Sequence, residues 1–167
     1  MAKAAENKYV GVNCGKLDQS CEVLCRENRL LYLDTLDDQY RLIDTNPGMK
    51  PYKIGIFFSG LERSLKNSKY NLRQDECKAA AYALMSYAGM EYDTFANTRL
   101  RDVPLEVFEA YKDRLPENFR KRAEHYYSEF QRVEEGTTAW EDGDIERYGE
   151  LVFQSGWSRR ASMMMCS

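Results

Sequence analysis

Before residue 60 the apolar positions come in short runs; beyond it they recur at intervals of three and four, the spacing that lines up side chains on one face of a helix. Residues 1–7 read as the end of a helix, and Tyr9-Val10-Gly11-Val12 as extended chain. The stretch from Asn13 to Gln19 reads as a turn into a short helical pattern with Leu17, Cys21 and Leu24 on one face. Two apolar runs, 29–33 and 40–43, flank the polar Asp34-Thr35-Leu36-Asp37-Asp38 and predict a hairpin. Asn46-Pro47-Gly48 marks a turn. Lys53-Ile54-Gly55-Ile56-Phe57-Phe58 is almost continuously apolar and predicts a strand covered on both faces.

Helical spacing takes over in the second part. Residues 69–87 predict a helix with Leu72, Cys77, Ala80, Ala81, Leu84 and Tyr87 on its apolar face, stopped by Gly89. Pro104 opens a short helix over 105–111. Residues 116–140 predict a long helix with Ala123, Tyr126, Tyr127, Phe130 and Val133 turned to the core. Asp144 caps a last helix striped by Ile145, Tyr148, Leu151 and Val152. Strands early and helices late give the class α+β.

Composition narrows the partners. The 167 residues suit one domain or two small lobes, with 43% hydrophobic and 31% charged residues. The net charge is −3 and no Lys/Arg stripe stands out, so neither nucleic acid nor an anionic membrane surface is an expected partner. No apolar run reaches the length of a membrane span. Five cysteines (Cys14, Cys21, Cys25, Cys77 and Cys166) and a single histidine, His125, speak against a disulfide framework or a zinc site. Cys21 and Cys25 share a helical face, but the expectation is of buried free thiols in a reducing, cytoplasmic compartment. His125 reads as structural, and Asp34, Asp37 and Asp38 as a solvated turn rather than a cation site.

The chemistry concentrates between Asn13 and Gln19. Asp18 starts a helix, two residues after Lys16 and three after Gly15. A helix N-terminus stabilises an ionised carboxylate, and glycine lets backbone approach a ligand. Such a carboxylate can accept the proton of a substrate hydroxyl, although spacing alone fits an ordinary cap more readily.

Cys14-Gly15-Lys16-Leu17-Asp18-Gln19 resembles the C-G-x-x-D-Q motif of galactokinases and galacturonokinases, sugar-1-kinases of the GHMP superfamily. Ser68-Lys69-Tyr70-Asn71-Leu72-Arg73-Gln74-Asp75-Glu76-Cys77 resembles their S-x-Y-N-x-R-R-x-E-C segment. Arg122-Ala123-Glu124-His125 resembles the R-A-x-H helix, and Gly143-Asp144-Ile145-Glu146-Arg147-Tyr148-Gly149-Glu150-Leu151 the G-D-x-x-x-F-G-x-L helix. Order and spacing agree over residues 6–158. Gln74 replaces a frequent second arginine, Lys16 takes a position usually apolar, and residues 159–167 match nothing in the pattern.

The resemblance implies a GHMP-kinase-like α+β fold. Residues 1–50 would close the N-terminal lobe that bears the catalytic base, 51–158 would give the strand and helices of the C-terminal lobe, and 159–167 would be an unmatched tail. It implies phosphorylation of the anomeric hydroxyl of galactose or a relative such as galacturonate, with ATP and Mg2+ in the complete enzyme. Asp18 would be the catalytic base, Asn13, Cys14 and Gly15 would shape the sugar pocket, and Tyr70 would touch the sugar. The family's P-x-G-x-G-L-S-S-S phosphate loop and its G-R-x-x-x-H-x-D segment do not occur in these residues. The expectation is therefore a fragment that binds no nucleotide tightly, is inactive by itself, and self-associates through exposed edges. A non-catalytic sugar sensor and an inactive truncated product are the alternative readings.

Overall fold

The computed structural model describes residues 6–11, 15–58, 60 and 70–164; the side chains of Glu6, Val10, Tyr70 and residues 159–164 lie outside that description. The chain divides into two compact units. The first is Met1–Ser68 with Glu134–Leu151, the second Lys69–Val133 with Val152–Ser167.

In the first unit a single π-helical turn, Glu6–Val10, precedes helix α1, Leu17–Leu24. The turn takes in Tyr9 and Val10, which had read as extended; it stops at Gly11, whose φ of +75° suits glycine. Strands β1 (Arg29–Leu33) and β2 (Tyr40–Asp44) form the expected hairpin, with Leu31 opposite Leu42. Its loop is held by its own aspartates: Asp34 accepts from the Leu36 amide at 2.8 Å and Asp37 from the Gln39 amide at 3.0 Å. Those carboxylates are spent on turn geometry, and no cluster able to hold a metal ion exists among the described residues.

The hairpin packs on the C-terminal part of helix α4, Glu117–Glu141. Tyr32 Oη donates to Glu134 Oε1 at 2.5 Å, and Arg41 reaches Glu141 Oε1 at 3.1 Å while lying over the Tyr32 ring. Ile43, Ala139, Trp140 and Leu151 are buried there, and the Trp140 ring meets Tyr52 and Tyr148 edge-on. Helix α4 ends at Gly143, φ +77°, with the Asp144 amide donating back to Ala139 O at 2.8 Å. Asn46 Nδ2 also donates to Glu141 O, at 2.7 Å. As expected, Asp144 caps helix α5 (Ile145–Met164), its Oδ1 accepting from the Arg147 amide at 2.9 Å.

The predicted strand at 53–58 is not formed. Ile54, Ile56, Phe57 and Phe58 are between 83% and 94% exposed and carry no regular structure. A strand needs a neighbour's backbone groups to satisfy its own, and the sheet described here is the two-stranded hairpin alone.

In the second unit, helix α2 (Tyr70–Tyr87), helix α3 (Leu105–Tyr111) and the first part of α4 enclose a core of Ala80, Ala81, Leu84, Met85, Leu100, Val103, Phe108, Leu115 and Ala123. Helix α2 stops at Gly89, φ +66°, with the Met90 amide donating to Met85 O at 2.9 Å. Tyr127 stacks on Phe108 and donates from Oη to Val103 O at 2.9 Å. Several positions leave the expected core: Leu72, Phe130, Val133 and Val152 are more than half exposed. Helical periodicity marked a broad face, and only its central positions meet a neighbour.

Candidate functional site

The candidate base sits at the beginning of α1. Lys16 occupies the N-cap position without a side-chain capping bond, so Asp18 is in the first turn, where the helix dipole favours a negative charge. Asp18 is exposed, and so is Gly15. Lys16 pairs with Asp38 of the hairpin loop, which ties the start of α1 to the β1–β2 turn. Beyond Asp18 the same helix face carries Cys21, half-buried, and its C-terminal neighbour Cys25 is exposed. The expectation of buried thiols therefore fails at Cys25, the exposed C-cap of α1; Cys77, half-buried in α2, is nearer to it. Burial, then the thiol of Cys25 and the charge of Asp18, push the Cys21 thiol above its usual range.

Of the other expected sugar contacts, Asn13 and Cys14 lie outside the described residues. Tyr70 is the first residue of α2 in the second unit, and its side chain is outside the description. Within the described residues, then, Gly15 and Asp18 stand close in sequence on one helix start.

Sequence reasoning singled out two further stretches without seeing that they meet. Glu76, in α2, and Arg122, in α4, form a buried ion pair at 2.7 Å, and Asn118 Nδ2 donates to the second Glu76 oxygen at 3.0 Å. Burial alone would raise the Glu76 carboxyl; the hydrogen bonds from Arg122 and Asn118 outweigh it and hold the group below the usual carboxylate range. His125, one turn along, shares a hydrogen bond of 2.9 Å with Ser158 Oγ. The signal for the pair was present, a glutamate and an arginine each within a motif, but separation in sequence hid it.

A galacturonokinase of Arabidopsis thaliana is 39% identical to this chain over 154 residues, 92% of the chain and 36% of that protein. A galactokinase of Roseiflexus sp. (strain RS-1) is 37% identical over 161 residues, 96% of the chain and 39% of that protein. This is a galactokinase-like chain. The solved Lactococcus lactis galactokinase complexed with galactose matches its fold with a TM-score of 0.76 and 29% identity, over 95% of this chain and 39% of that one. The hairpin and helices are thus a GHMP-kinase α+β arrangement. No family model matches. The galactokinase-like chain spans between 36% and 39% of the length of these relatives. None of its described helices is long and apolar enough to cross a membrane.

Proposed function

We propose that this chain is the part of an ATP-dependent sugar-1-kinase that carries the catalytic base, with Asp18 taking the proton of the anomeric hydroxyl of galactose or a relative such as galacturonate. The observation that carries the reading is the similarity to both a galactokinase and a galacturonokinase across more than nine-tenths of the chain, Asp18 included in its motif. The position of Asp18 supports it, since the carboxylate stands exposed in the first turn of α1, open to an incoming hydroxyl. In this reading Asn13, Cys14 and Gly15 line the sugar, Tyr70 contacts it, residues 1–50 close the base-bearing lobe, and 51–158 belong to the helical one. Phosphoryl transfer asks mainly for an aligned oxygen and stabilised charge. Asp18 serves the first need. The second falls to residues this chain does not contain.

ATP and Mg2+ would act in the complete enzyme. The phosphate-loop motif is absent from the 167 residues, and no metal-holding cluster occurs among the described ones. The chain by itself is inactive in this reading, and its setting is cytoplasmic.

The test uses a polypeptide that carries this chain at full kinase length. Asp18→Asn there retains sugar binding by calorimetry and loses ATP-dependent phosphorylation by about 10²-fold or more. Near-normal turnover would remove Asp18 from the role. Sugar binding with no phosphorylation in the unsubstituted protein would favour a non-catalytic sensor. Titrating ATP into the 167-residue chain gives no binding in the micromolar range; a micromolar affinity would overturn the reading of the missing loop.

A further inference from the structure

We infer that Cys21 and Cys25 form a dithiol modification site, which closes to a reversible disulfide on reaction with an oxidised low-molecular-weight disulfide such as oxidised glutathione. The Cys25 amide donates to Cys21 O at 3.1 Å, so the two residues stand one helical turn apart at the end of α1. Cys21 is half-buried and Cys25 exposed. Arg26 folds back over the same turn, donating to Val23 O at 3.0 Å and Cys25 O at 2.8 Å, which sets a cation at this end.

Geometry decides between a permanent and a reversible bridge. Residues four apart in a regular helix hold their Cβ atoms about 5–6 Å apart, more than the roughly 3.5–4.5 Å that a disulfide spans. Cys25, however, is the C-cap residue: its amide bond to Cys21 O holds it on the last turn, and the chain turns extended beyond it, at ψ 148°. Its side chain can swing inward at the expense of the last helical turn, and a bridge with that cost is readily reduced again.

The steps balance. The exposed Cys25, as thiolate, attacks one sulfur of the oxidised glutathione; the S–S bond breaks and one glutathione thiolate leaves. Cys21 loses its proton to solvent and attacks the Cys25 sulfur of the mixed disulfide, and the second glutathione leaves. Two protein thiols are oxidised by two electrons, and one glutathione disulfide becomes two thiols. Asp18 precedes Cys21 by three residues on α1, and its charge adds to the burial that pushes that thiol above its usual range, so the resolving attack is the slower step. Any consequence for phosphorylation rests on the proposed role of Asp18, whereas the site itself does not.

The experiment treats the whole chain with oxidised glutathione, alkylates what remains, and digests it after Lys and Arg. The peptide 17–26 contains both cysteines and is expected two hydrogens lighter, unalkylated, and restored by excess reduced glutathione. Cys21→Ser and Cys25→Ser each abolish that species. A wild-type reaction that stops at a single glutathione adduct, or a bridge from either cysteine to Cys14 or Cys77, would overturn the proposal. Phenylarsine oxide, which needs two thiols on one arsenic, gives a second reading. The wild-type chain binds it through this pair, and either serine variant weakens binding by more than about tenfold; unchanged binding in both variants would overturn the proposal as well.

Discussion

Arg122 donates from Nε to Glu76 Oε2 at 2.7 Å, with both side chains less than a tenth exposed. The pair joins α2 to α4 across the second unit, between two stretches that carry the family likeness. Breaking a buried pair costs more than the pair is worth, because the remaining charge is left in a poor solvent. Arg122→Met is expected to destabilise this unit by about 3–5 kcal/mol in urea unfolding followed by circular dichroism. Replacing both, Glu76→Leu with Arg122→Met, recovers a large part of that loss. A double variant no better than the single one would show that packing rather than charge holds the two helices here.

The same carboxylate makes stability depend on acid. Glu76 is held below the usual range against the pull of burial, and Glu129 is too, by bonds from Ser155 and Arg132. A carboxyl with a depressed folded value contributes stability above its ordinary value of 4.5 and loses it as pH falls through the folded value. The unfolded chain binds more protons in that window, so stability falls with pH there. Urea midpoints taken from pH 6 down to about pH 3 should decline below about pH 4.5, and Glu76→Gln should flatten the decline. An equal slope in that variant would take Glu76 out of the acid response.

Two glycines of the first unit answer oppositely to alanine. A Cβ on Gly136, within α4, would meet the Tyr148 ring at 3.7 Å and Leu151 Cδ1 at 3.9 Å, ordinary contacts. Gly136→Ala therefore removes glycine's helix penalty and raises stability by about 0.5–1 kcal/mol. Gly143 has φ +77°, and a Cβ there would come within 3.1 Å of Asn46 Cγ, the side chain that caps α4. Gly143→Ala costs about 1–2 kcal/mol from backbone strain alone. Thermal midpoints of the two variants should move apart; a shared direction would contradict the packing described.

Local rules made the hairpin, the glycine stop after α2 and the Asp144 cap legible, because each depends on neighbours in sequence. Phe130 and Val133 were misjudged for the converse reason: periodicity tells which face of α4 they share, and only the packed structure tells how wide the covered part of that face is. The Glu76–Arg122 pair was invisible because its members lie 46 residues apart. For the site, spacing alone could not lift Asp18 above a helix cap. The family likeness did that, and the described structure adds that the cap position belongs to Lys16.

Residues 53–58 failed as a strand for want of a partner, and that failure has a solution consequence. Ile54, Ile56 and Phe58 alternate with Gly55 and Phe57, so an extended backbone would present an apolar row on one side and unsatisfied amide and carbonyl groups along its edges. Almost all of that apolar surface is open to water. A second copy can offer the same segment, satisfying backbone groups and covering apolar surface at once. Light scattering after size exclusion should therefore show mass rising with concentration. Substituting Ile56 and Phe58 by lysine, which sets like charges along the edge, should return the chain to a monomer without changing its helical circular dichroism. A monomer at every concentration in the unsubstituted chain would mean that the apolar run is tolerated in water and seeks no second copy.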